Sequence, residues 1–184
     1  MKFHTALLPL LLAAGALGAC GEAGDTAGAD TPEVSGSLAT VLGEADDITQ
    51  VRDAMAATGL DTMLDGPGTS YTIIAPRDAA FEAVAGEETL PAPVLAAMLR
   101  EHIIPGHLDA AAIANAIEAN GGPVKIATVG QGTLEFSRDG DTLVATHSDS
   151  GMSARVTGQN GQAENGTLLV ADALLVAPPS GDAA

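Results

Sequence analysis

His102, His107 and His147, the lone Cys20 and 24 acidic side chains are the groups through which this 184-residue chain could do chemistry. Two histidines on one helical face at i, i+4 would suit a transition metal. His102 and His107 instead stand five apart with Pro105-Gly106 between them, so no helix can align them, and His147 could join them only through the tertiary fold. A buried, hydrogen-bonded His102 with a structural role is the simpler expectation. "HSDSG", residues 147–151, holds the three residue types of a hydrolytic triad. A triad is a spatial arrangement, however, and immediate neighbours in one turn cannot adopt it, so the segment reads as a loop. The acids form no calcium loop with its central glycine and terminal glutamate, and read as a solvated surface. No catalytic residue, metal ligand or cofactor is therefore expected. "NGT", residues 165–167, is formally a glycosylation sequon, but the N-terminus argues against that use.

Cys20 belongs to a different chemistry. Lys2 gives a short positive start, and "ALLPLLLAAGALGA", residues 6–19, is apolar but too short to span a bilayer comfortably. It ends in Leu17-Gly18-Ala19-Cys20, which resembles the lipobox of bacterial lipoproteins. That resemblance implies a signal peptide over residues 1–19, cleavage before Cys20 and acylation of its thiol. Gly21, where an aspartate would favour inner-membrane retention, points to the outer membrane of the cell envelope. Residues 20–36 are small and acidic without apolar periodicity, and read as a flexible tether of roughly 20–24 Å span. The whole chain carries a formal charge of −17. Cleavage would remove Lys2 and no acid, leaving 24 acidic against 6 basic side chains, or −18. Nucleic acid and anionic headgroups would repel such a body, so membrane attachment falls to the lipid on Cys20.

The elements that would position any site begin at Leu38. Asp47 can cap a helix in "ITQVRDAMAATG", where Ile48, Val51, Ala54 and Met55 share a face and Gly59 stops the run. "YTIIAP", residues 71–76, has the β-branched and aromatic character of a strand, ended by Pro76. Asp78 is then suited to cap its own helix, whose Ala80, Phe81 and Val84 make a buried stripe anchored by Phe81. "APVLAAMLREHI" predicts a helix with Val94, Leu95, Met98 and Leu99 on its apolar side, closed by Pro105-Gly106. A shorter helix follows in "AAAIANAIEANGG". Beyond Pro123 the period changes to two in "VKIATV", "TLEFS", "TLVATH" and "SARVTG", with turns at Gly130-Gln131-Gly132 and Asp139-Gly140-Asp141. "NGTLLVADALLVAPP" is continuous enough for a central strand. Helices first and strands mainly afterwards predict an α+β fold.

The order of these pieces resembles the fasciclin-like domain family. Ile73, Ile74, Ala75, Pro76, Asp78, Ala80 and Phe81 match its strand-to-helix signature. His102, Ile103, Ile104, Pro105 and Gly106 match its second block. Asn165, Gly166, Leu168, Leu169, Val170, Asp172, Leu174, Leu175, Pro178 and Pro179 match its closing block. The resemblance implies a wedge over residues 37–179, a β-sandwich covered by a helical layer, followed by a short tail at 180–184. It also implies adhesion or protein interaction without catalysis. Arg77 replaces the commoner threonine, and Glu101 replaces the tyrosine of a Tyr-His pair linked to integrin binding in animal relatives, so that activity is not carried over.

The expectation is a lipid-anchored envelope protein that binds another envelope or extracellular protein, with Glu101 and His102 as the candidate interaction residues and Glu101 facing solvent. The alternative is a carrier of a small apolar ligand, a pigment or lipid, held near Met98 and Leu99; a hydrolase ranks third. After signal removal Tyr71, Phe81 and Phe136 are the aromatics that remain, too few for a stacking platform.

Overall fold

The computed structural model describes residues 36–66, 68–85 and 90–178. The expected signal peptide, Cys20, most of the expected tether, Pro179 and the 180–184 tail lie outside the described residues. Helices α1 (Leu38–Glu44) and α2 (Thr49–Thr58) and a 3₁₀ turn (Asp61–Asp65) lead into strand β1 (Tyr71–Pro76). Helices α3 (Asp78–Ala85) and α4 (Ala92–Arg100), strand β2 (Ile103–Pro105) and helix α5 (Ala110–Asn120) follow. The second half is strand: β3 (Val124–Ala127), β4 (Thr133–Asp139), β5 (Thr142–His147), β6 (Ser153–Ala163) and β7 (Gly166–Ala171). The chain is α+β, as the change of periodicity at Pro123 predicts.

The strands form one sheet in the order β2-β1-β7-β6-β5-β4-β3. β1 lies parallel to β7 and antiparallel to β2, and the remaining pairs are antiparallel. The sheet curls until its two ends nearly meet, where Val129 N–H, just past β3, donates to the carbonyl of Ile103 in β2 at 2.7 Å. Alternation along each strand then makes two cores. Ile74, Leu169 and Ala171 face Leu134, Phe136, Leu143 and Ala145 across the interior, with Ile113 and Ile117 of α5 closing it. Ile73, Ala75, Leu168 and Val170 point the other way, against Leu38, Val51, Met55, Leu64, Phe81 and Leu99 of the helical layer. β1 and β7 are thus buried on both faces, which is why they read as apolar runs.

The signature residues act as joints. Asn165 accepts from Leu38 N–H at 2.7 Å, and its amide donates to the carbonyl of Leu64, tying α1 and the 3₁₀ turn to the start of β7. A Cβ on Gly166 would run into the backbone of Tyr71 and the side chain of Leu38, so only glycine admits the parallel pairing there. Asp172 accepts from Arg155 N–H at 2.7 Å and donates its own N–H to the Arg155 carbonyl at 3.1 Å, closing the end of the β6–β7 ladder. Pro76 is the last residue of β1, and Gly106, at φ +106°, turns the chain after β2 while donating to Ser70 at 2.8 Å.

Three local expectations change. Asp78 begins α3 but does not cap it: its carboxylate accepts from Gln50 N–H at 2.8 Å and the Thr49 hydroxyl at 2.7 Å, so it caps α2. Burial opposes its ionisation, but these bonds outweigh that and hold the carboxyl below its ordinary range. Asp47, the expected cap of α2, instead accepts Asp78 N–H on its carbonyl at 3.0 Å and lies 3.8 Å from Arg77. The helix expected through Ile103 ends at Arg100, because Ile103–Pro105 pairs with Tyr71–Ile73 as an edge strand; β-branched Ile103 and Ile104 fit a strand better than a helix end.

Candidate functional site

The end of α4 carries a dense polar arrangement. Glu101 follows the helix directly, and the turn read as Gly130-Gln131-Gly132 folds over its carboxylate. Oε2 accepts from the Thr128 hydroxyl at 2.6 Å, from Gly132 N–H at 3.1 Å and from Nε2 of His147 at 3.2 Å. Oε1 accepts from Gln131 N–H at 3.0 Å. A Cβ at Gly130 would overlap the Glu101 carboxylate, and one at Gly132 would overlap both that group and the His147 ring. The glycines are there because backbone N–H groups must approach an anion closely. Burial disfavours the charged form of Glu101, but bonds from Thr128, Gln131, His147 and Gly132 outweigh it and keep its pKa below the ordinary value.

Glu101 is therefore not the solvent-facing residue the sequence suggested, since its side chain is only 18% exposed. The expected exposed pair is corrected further at His102, which is buried at 3% exposure because the chain turns inward between α4 and β2. Its Nδ1–H donates to the Met98 carbonyl at 3.0 Å, and its Nε2 accepts from Leu175 N–H at 3.0 Å. That pattern fixes the neutral Nδ1–H tautomer. Burial is the main cause that lowers its pKa to about 4. His102 is thus buried and hydrogen-bonded through both ring nitrogens.

His147 ends the inward series Leu143, Ala145, His147 on β5, and is buried in turn. With Nε2–H directed at Glu101, its Nδ1 accepts Ser150 N–H at 3.2 Å. The Ser150 hydroxyl points elsewhere, donating to the Leu175 carbonyl at 2.6 Å. No hydroxyl thus lies on an imidazole nitrogen within "HSDSG", and serine, histidine and carboxylate do not form a nucleophilic relay. They form a closed ring instead. It runs from α4 through Glu101, His147, Ser150 and Leu175 to His102, and back to α4 at Met98. Sequence reasoning missed Thr128, Gln131, Gly132 and His147 as partners of Glu101. The available signals were the inward phase of His147 and the glycines flanking Gln131, but neither says which anion they would meet.

This ring fixes the walls of a groove of about 410 Å³ between α4 and the segment after β7. Pro93, Val94, Ala97 and Met98 form one side, Val176 and Ala177 the other, and Glu101 lines it as the one charged residue. Met98, expected beside an apolar ligand, contributes to this wall while remaining largely buried; Leu99 points into the helical core. Behind His147 lies a smaller recess of about 250 Å³ lined by Lys125, Glu135, Thr146, Ser148 and Gly151. Among the described residues no three histidine, cysteine or acidic side chains converge as a metal cluster would require.

Comparison with known proteins places this architecture. The family profile named Fasciclin domain matches residues 46–177. Among solved structures, the chain is similar to a FAS1 domain pair from the insect cell adhesion molecule Fasciclin I, with a TM-score of 0.64 at 13% identity. The match covers 78% of this chain and 51% of that one, so this chain spans about half the length of the insect pair. At that identity the likeness is one of fold.

Proposed function

The chain belongs to the fasciclin domain family, and from that membership we propose a non-catalytic adhesion or protein-interaction module, held at a bacterial cell envelope by a lipid on Cys20. The observation that carries the reading is the hydrogen-bond ring. It commits Glu101, His102, His147 and Ser150 to holding α4 against the C-terminal segment, and so spends on architecture the groups that hydrolysis would use. What the ring presents outward is a preformed groove, a common form for a recognition surface. The adhesive role of the insect molecule of similar fold supports the same direction. Acylation at Cys20, with the acidic stretch behind it, would set the domain off an outer membrane that its own charge cannot bind. The test has two parts. Cys20→Ser should leave the membrane fraction or persist as an uncleaved precursor, and cross-linking on intact cells should join the wild-type domain to an envelope protein. Membrane retention of cleaved, unacylated Cys20→Ser would remove the anchor, and cross-linking to nothing would remove the interaction.

A second reading has its own observation. The groove is apolar on both walls, so carriage of a small pigment or lipid fits it as well as a protein side chain does. Solvent extraction of the natively purified protein decides: a stoichiometric apolar compound other than the Cys20 acyl groups would favour the carrier.

A further inference from the structure

The groove has two kinds of lining, and together they specify an occupant. Six of its residues, Pro93, Val94, Ala97, Met98, Val176 and Ala177, offer an apolar channel. The seventh, Glu101, is acidic, and the two oxygens of its carboxylate are not equivalent. Oε2 already accepts three donors, from Thr128, Gly132 and His147, which saturates it. Oε1 accepts one, from Gln131, and keeps acceptor capacity. An arginine fork gains its advantage by bonding both oxygens of a carboxylate at once, and here one of the two is closed to it. A lysine ammonium is a point charge that needs a single lone pair, and its four-carbon stem covers apolar surface while the head reaches a polar end. The field around the groove has the matching sign, since the chain carries −17 overall and no basic residue lines the channel.

We infer that this groove receives a lysine side chain, flanked by apolar residues, from an extended segment of a partner protein, a reading that rests on the interaction function proposed above. The carboxylate is preorganised: the loop from Thr128 to Gly132 holds it, and His102 and Ser150 hold the opposite wall through Leu175. Little ordering then remains to oppose binding. A second copy of the chain is a poor donor. Lys125 is the one lysine among the described residues, and it lies in β3, 3.4 Å from Glu135.

The test uses the full-length chain and three dye-labelled pentapeptides read by fluorescence anisotropy: acetyl-Gly-Leu-Lys-Leu-Gly-amide and its norleucine and arginine counterparts at the central position. The lysine peptide should bind at least tenfold more tightly than the norleucine peptide, more tightly than the arginine peptide, and less tightly as salt rises. Ala97→Trp, at an exposed position of α4, should fill the channel and abolish binding without disturbing the fold. Equal binding of the norleucine peptide would make the site a purely apolar one and overturn the inference. So would equal or tighter binding of arginine, absence of lysine-peptide binding, undiminished binding by Ala97→Trp, or a self-association that Ala97→Trp abolishes. The wider function fails separately. An envelope partner cross-linked equally by wild type and Ala97→Trp removes the groove and leaves adhesion standing, whereas lysine-peptide binding with no cross-linked partner removes adhesion and leaves the groove.

Discussion

Replacing Glu101 by alanine should destabilise the domain by about 3–5 kcal/mol, although on the sequence alone the position reads as a tolerant surface charge. The magnitude follows from the donors left behind. The carboxylate accepts from Thr128, Gln131, Gly132 and His147. Gln131 is exposed and can turn to water, and the Thr128 hydroxyl can turn to the Gly132 carbonyl 3.2 Å away, so these two add little. Gly132 and His147 are buried, and each orphaned buried donor costs about 1–3 kcal/mol. Their sum, with a contribution from the space left under the loop, gives the stated range. Glu101→Lys should be at least as damaging, because it sets an ammonium against four donors. Urea unfolding followed by circular dichroism at neutral pH measures the difference, with the slope compared to confirm a two-state transition. A loss below about 1 kcal/mol for Glu101→Ala would refute the reasoning. It would mean that water replaces the carboxylate freely and that the loop is not organised around it.

Acid should weaken the fold before the carboxylates titrate. His102 has a folded pKa of about 4 against an ordinary 6.5, so the unfolded chain binds its proton first. Its contribution is intact above pH 6.5, declines as pH falls through that value, and is fully lost near pH 4, a drop of about 3 kcal/mol. Urea midpoints that are level between pH 7 and 5, or an NMR titration showing a charged His102 ring in the native state at pH 6, would contradict the buried neutral tautomer. Phe81→Ala should cost about 3–5 kcal/mol, because the ring is 7% exposed in the helical-layer core; an unchanged urea midpoint would mean that α3 does not anchor there.

Much of this protein is legible in one dimension because the determinants are local. The two-residue period after Pro123 follows from a sheet covered on one side, and the continuous runs at 71–76 and 166–171 follow from strands covered on both. Gly59 and Gly121 end helices at positive φ as their positions predict. Phe81 marks the buried side of α3 by spacing alone. The family signature could be read for the same reason: its residues hold joints of the chain, and those joints constrain residue type at each position.

Whatever depended on a partner far along the chain was decided only by the tertiary structure. Asp78 is equally fitted to cap the helix it begins or one nearby, and only the packing of α2 beside it chose Gln50 and Thr49. Ile103–Pro105 became a strand because β1 offered it an edge. Glu101 read as a surface charge because a carboxylate after a helix usually meets water. Its four donors come from positions 27 to 46 residues later, brought over it when the curled sheet returns β3 and β5 to the end of α4. A sequence states which groups can accept a proton or a hydrogen bond, but the burial that gives those groups their strength is a property of the closed fold.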